Sequence, residues 1–286
     1  MARAGINIVQ NRRIRYALMT AMKLVLCALL LVYPSFAQQP NAEDSRSPEI
    51  KALMDAGVAS FEDAHYDEAV ANFRKATQLE PGNEKAHTYL GTAYAYQVVP
   101  NLETPENLRT ASSALAEFDI VLKSHPKDLT ALKQEATVYR HIKQFDQAKA
   151  LEKRVITIDP HDADAFYAIG FTDWMQAYKN AVAILATEGL TDAGAGNPNL
   201  SRAGCDALIA KNKALVDEGI ASLTQAIELK PDFDDAMTYL QLTYRRHADF
   251  HCGDPTGISA DLKLVEEWTK RAMLARKEKE KGKVTP

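Results

Sequence analysis

The stretch Tyr66-Asp67-Glu68-Ala69-Val70-Ala71-Asn72-Phe73-Arg74-Lys75-Ala76-Thr77-Gln78-Leu79-Glu80-Pro81 decides the fold. Ala69 and Ala76 stand seven residues apart, Phe73 lies between them, and Pro81 closes the run. Seven residues span two helical turns, so these three side chains share one helix face. A proline cannot donate an interior helical hydrogen bond, so the helix has to stop short of it.

The pattern returns along the chain. Ala114, Phe118, Val121 and Pro126 repeat it, as do Ala148, Val155 and Pro160, then Gly219, Leu223, Ala226 and Pro231, with a degenerate copy through Trp268 and Ala272. The closing prolines lie 45, 34 and 71 residues apart, which a unit of 34 with insertions of 11 and 37 accounts for. Each unit has a second helical stripe upstream, marked by Leu53 and Gly57, by Leu90, Gly91 and Tyr94, by Leu132, Ala136 and Tyr139, by Phe166, Ile169 and Gly170, and by Leu240 and Tyr244. Each unit is therefore a helical hairpin. Small residues facing one another (Gly57 and Ala69, Gly91 and Ala114, Ala136 and Ala148, Gly170 and Gly219) let its two helices approach closely.

In unit length, paired small residues and closing proline, the chain resembles the tetratricopeptide repeat family over residues 50–275 or so, with about five copies. It departs where Glu152 replaces a usual aromatic and where Gln241 replaces a usual small residue. The resemblance implies an all-α, right-handed superhelical array of helix-turn-helix repeats, here over 49–275, with ligands held in a concave groove lined by the first helices. Carried over, the groove residues are Lys85, Thr92 and Tyr96; Lys133, Thr137, Arg140 and His141; Tyr167, Phe171 and Trp174; and Arg245 and Arg246. Such basic and aromatic side chains suit an extended peptide with acidic groups. The asparagine that the family's carboxylate clamp sets beside lysine is missing from these positions.

Both insertions fall between the two helices of a unit, so both are expected on one edge of the array. The first, near 98–109, holds Pro100 and Pro105 and reads as an ordered loop. The second, near 177–214, keeps helical pattern to about Gly189, breaks at Thr191–Asn199 and resumes near Arg202. Two extensions of some 13 to 15 residues would project about 20 Å, so the fourth repeat is expected to carry a protruding long helical hairpin with a glycine hinge at Gly194 and Gly196. Cys205 and Cys252 would then share an edge in neighbouring units, and a disulfide between them is predicted.

The N-terminus reads as an export signal over 1–37. Arginines and Lys23 precede ten apolar residues, Leu24–Tyr33, and Ser35-Phe36-Ala37 offers a cleavage site before Gln38. Ten residues fall short of the roughly 20 that span a bilayer, so no stable membrane span is expected after cleavage. Residues 38–48 read as a polar linker and 276–286 as a charged flexible tail. The compartment is expected to be periplasmic or secreted, where disulfides persist.

Across 286 residues, 46% are hydrophobic and 25% charged, which excludes global disorder. Removing the five basic residues of 1–37 from the 34 leaves 29 against 38 acidic ones, a poor balance for nucleic acid. No phosphate loop, nucleophile elbow or dinucleotide fingerprint is present, and no cofactor is predicted. The expected function is a non-catalytic scaffold binding a protein or peptide, with self-association left open. The alternative is a metal-binding protein or metal-dependent enzyme built on His247 and His251, four apart and followed by Cys252 and Asp254.

Overall fold

A computed structural model describes residues 42–194 and 196–284. The expected signal, 1–37, lies outside them. Among the described residues there are ten α-helices and no strand. In chain order they are α1 (Ala42–Glu62), α2 (Tyr66–Leu79), α3 (Glu84–Gln97), α4 (Pro105–Ser124), α5 (Leu129–His141), α6 (Phe145–Ile158), α7 (Ala163–Thr187), α8 (Arg202–Leu229), α9 (Asp234–Ala248) and α10 (Pro255–Val284), with a short 3-10 turn at Asp249–His251. They pair into five hairpins, the first through Gly57, Val58 and Phe61 packed on Ala69, Val70 and Phe73, and first helices also touch, α3 with α5 and α7 with α9.

Local chemistry punctuates the array. The second helices end at Leu79, Ser124, Ile158 and Leu229, two residues ahead of the closing prolines. Two residues after three of those prolines, Asn83, Asp128 and Asp162 cap the next helix by accepting from the backbone N–H of Ala86, Ala131 and Ala165. The fifth hairpin departs from this. Phe233 holds the cap position with no side-chain cap, and Asp234 accepts from Arg276 (3.1 Å) and Lys279 (2.5 Å) of α10. Those pairings fall in the segment expected as a flexible tail, which is helical through Val284. Likewise α1 already runs from Ala42, within the expected linker: polar composition signals exposure, which a helix tolerates.

The small residues work as read. A Cβ on Gly57 would stand 2.4 Å from the Phe73 ring, and one on Gly91 2.7 Å from that of Phe118. Phe73, Phe118, Leu132, Leu223 and Leu240 are fully buried along the array.

Both insertions lie between the two helices of a hairpin. The first is loop only to Thr104, which caps α4, and Pro105 already sits in that helix's first turn. Buried Asn107 ties the loop by accepting from the Val99 N–H and donating to the carbonyls of Val99 and Leu102. The second is a long α7–α8 hairpin. Ala177, Ala181, Leu185, Leu208 and Asn212 are buried within it, and Asn212 donates to the Ala177 carbonyl at 2.9 Å. Its tip does not stand free. Asp192 accepts from Arg246 (2.9 Å) and Asn197 donates to Asp249 (2.8 Å), which tie loop 188–201 to the fifth hairpin. The expected hinge is a packed turn: a Cβ on Gly196 would meet Ile258 at 2.9 Å and the Ala248 carbonyl at 3.0 Å. Cys205 and Cys252 are placed as a bonded pair across the same joint, with Cα atoms 5.5 Å apart.

Candidate functional site

Helix α7 places Tyr167, Phe171, Trp174 and Tyr178 at intervals of four, three and four, so their rings form a row along one face. Successive ring centroids lie 6.0, 6.3 and 5.6 Å apart. Tyr239 of α9 wedges against the row, 5.9 Å from Tyr167, 4.5 Å from Phe171 and 5.0 Å from Trp174. The Arg140 guanidinium of α5 stands 5.7 Å over Phe171, and Arg246 stands 5.9 Å over Tyr178. Tyr178 is the most open of these rings, 42% exposed.

Of the groove residues read from the sequence, the structure gathers Arg140, Tyr167, Phe171 and Trp174 here, and Arg246 reaches the row at Tyr178. Lys133 is ion-paired with Asp162, at the joint to the next unit. Arg246 is buried between Asp192 and Asp249 and anchors the long hairpin. Lys85 is exposed, over the Tyr89 ring at 5.6 Å. Tyr96 forms a separate aromatic cluster with Phe61 (4.8 Å) and Tyr66 (5.5 Å). His141 is half-buried, and burial together with the Arg140 charge pushes its pKa down and holds the ring neutral. Arg245 is exposed beside Gly194. Sequence reading left Tyr178 and Tyr239 out of the site. Tyr178 was available from its four-residue spacing after Trp174, whereas nothing local marks Tyr239.

Buried charge surrounds the row. Glu152 stands 3.8 Å from Arg140, and burial pushes its carboxyl up to about 7, against the lowering effect of Arg140 and Lys133. Burial, with help from Asp119, raises Glu135 to about 7. Burial raises Asp249 to about 6, opposed by Arg246 and Asn197. Lys149 bridges Asp173 (2.5 Å) and Glu218 (2.8 Å); burial nevertheless raises Asp173 to about 7 against the lowering effect of Lys149, whereas at Glu218 burial is outweighed by Lys149 and Lys153 and the pKa falls. Glu152, Glu135, Asp249 and Asp173 keep a proton in the folded chain at a pH where the unfolded chain has ionised. Stability should therefore fall as pH rises from about 4.5 to 7, by up to about 1.4 kcal/mol per pH unit for each group. Asp192, Glu218 and Asp234, whose pKa values are lowered, act oppositely below about pH 4. Thermal melts should give a higher Tm at pH 5.5 than at pH 7.5; a Tm that rises with pH over this range contradicts the assignment.

The histidine pair is also assembled, with a different third member. His247 Nδ1 and His251 Nε2 lie 2.7 and 2.8 Å from the same oxygen, Oδ2 of Asp261. Cys252 is instead paired with Cys205, and Asp254 accepts from the N–H groups of Thr256 and Gly257 at the start of α10. No helix among the described residues is long and apolar enough to cross a membrane.

Residues 50–83 match the family model described as Tetratricopeptide repeat. No curated protein matches the chain. Among solved structures, a crystal structure of MamA protein covers 84% of this chain and 98% of its own at 15% identity, with a TM-score of 0.51. A structure of MamA from residue 41 to its end, from Desulfovibrio magneticus RS-1, covers 78% and 96% at 18% identity, also with a TM-score of 0.51. At such identities the likeness concerns the fold. One tetratricopeptide repeat, matched at 50–83, thus opens an array of five consecutive helical hairpins, a fold the chain shares with these structures.

Proposed function

We propose that the protein is an exported, non-catalytic scaffold that holds an extended peptide or protein segment against the first helices of its repeats, centred on α7. The row Tyr167, Phe171, Trp174 and Tyr178, wedged by Tyr239 and overlaid by Arg140, carries this reading. Tyrosine, tryptophan and arginine are the residue types that dominate binding energy at interfaces, and packed rings present area at low entropic cost. Arg245, exposed beside Gly194, and the basic character of the expected groove favour a partner with acidic groups. Export is supported by the leader at 1–37 and by the cysteine pair.

Trp174 reports on its own site once Trp268 is replaced by phenylalanine. Titration with extended peptides that alternate acidic and apolar residues should shift its emission and saturate. Tyr178→Ala removes the most open ring with little consequence for the core. It should weaken binding by about tenfold or more, the 1–2 kcal/mol scale of an interface anchor. Arg245→Glu should weaken acidic peptides selectively. Binding that ignores both changes would place the partner elsewhere.

A further inference from the structure

We propose that His247, His251 and Asp261 form a binding site for one divalent transition-metal ion of the zinc, cobalt and nickel class. The three side chains come from three elements: the last turn of α9, the 3-10 turn, and the second turn of α10. Their candidate ligand atoms, one from each residue, all lie within 4.8 Å of one another. Two imidazole nitrogens and a carboxylate oxygen are donors that borderline transition ions prefer, whereas calcium and magnesium favour oxygen alone. Three protein ligands also leave at least one coordination position open.

The cluster is built rather than incidental. Asp261 is buried, while the histidine side chains are 32% and 26% exposed, which opens the solvent side to an ion. The His247 ring is flanked by Phe250 and His251, with centroids 5.5 and 5.6 Å away. The turn carrying His251 is held from the other side by the Cys205–Cys252 pair and by the bonds from Asn197 and Arg246 to Asp249. The most telling feature is Gly257. It is the third residue of α10, and a Cβ there would stand 2.3 Å from His251 Nδ1. Glycine at that point leaves room for the His251 ring where it reaches Asp261. An entering ion would take the Nδ1 lone pair of His247 and the Nε2 lone pair of His251, and each neutral ring would carry its proton on its other nitrogen. The open position would be filled by water or by a donor from a bound partner.

The test uses the untagged full chain, stripped with a chelator and titrated calorimetrically with zinc chloride, then with cobalt chloride while following visible absorption. Zinc should saturate at one ion per chain and raise Tm, cobalt should develop ligand-field bands, and magnesium chloride should do neither. His251→Gln and Gly257→Ala should each weaken zinc by at least about tenfold, the scale seen when a site's geometry is disturbed. Gly257→Ala keeps every ligand, and a metal-free Tm close to that of the parent assigns its loss of affinity to ligand placement and not to unfolding. Substoichiometric zinc in the parent chain, or equal uptake by the His247→Gln/His251→Gln double variant, overturns the proposal and leaves the cluster as a carboxylate accepting two hydrogen bonds.

Discussion

Phe118→Ala is expected to lower the free energy of unfolding by about 3–5 kcal/mol in a urea titration. The ring is fully buried and packs among Ala95, Val98, Ala111, Ala114 and Val121, with Leu115 and Leu122 at its margin. Its seat exists because residue 91 has no side chain: a Cβ there would lie 2.7 Å from one edge of the ring. Gly91→Ala should therefore destabilise the intact protein by about 1–3 kcal/mol through overpacking, although alanine is the better helix former. With Phe118 already replaced by alanine, the same Gly91→Ala change should be close to neutral or stabilising. The signature is the coupling: the double variant should be more stable than the sum of the single effects by more than about 1 kcal/mol. Additive effects would show that the glycine is not there for the ring. In a linear array each hairpin contacts only its neighbours, so the loss should be felt first in the second and third hairpins.

Opening the Cys205–Cys252 bridge should cost about 4 kcal/mol, the chain-entropy value for residues 47 apart in sequence. The bridge joins α8 to the turn after α9, so it closes a loop through the fourth and fifth hairpins. Ion pairing of Arg246 with Asp192 and the bond from Asn197 to Asp249 persist after reduction. Loosening should thus begin at loop 188–201 and the turn at 249–254, where hydrogen exchange should rise before the rest of the array responds. Cys252→Ser should reproduce the loss without reductant. Intact mass after alkylation decides whether the bond forms: two alkylatable thiols before reduction in the chain starting at Gln38 would remove the bridge. The same spectrum reads the leader, since an uncleaved chain keeps Cys27 and the mass of residues 1–37. If the bridge also braces the histidine cluster, reduction should weaken zinc binding in parallel.

Much of the architecture was legible because it is written in short-range chemistry. A helix face repeats every three or four residues, so Ala69, Phe73 and Ala76 announce their common side. Proline stops a helix wherever it stands, and an Asn or Asp two residues later starts the next by accepting its free N–H groups. These rules need no partner beyond a few residues, which is why the succession of helical hairpins could be read in advance. Aromatic spacing along α7 was legible for the same reason.

The sequence by itself settled the stacked hairpins, their close approach at glycine and alanine, and the row of rings on one helix. Only tertiary structure decided how the charged and polar side chains are engaged. Lys133 and Arg246 look like free groove cations in a helical register, yet one faces Asp162 and the other lies buried against Asp192 and Asp249. Asp234 resembles a helix cap but binds a helix that arrives more than forty residues later. Asp261 carries no local mark that it meets His247 and His251. The physical reason is range: periodicity and turn chemistry act within one or two turns of chain, while an ion pair or ligand set depends on which surfaces the finished array presses together.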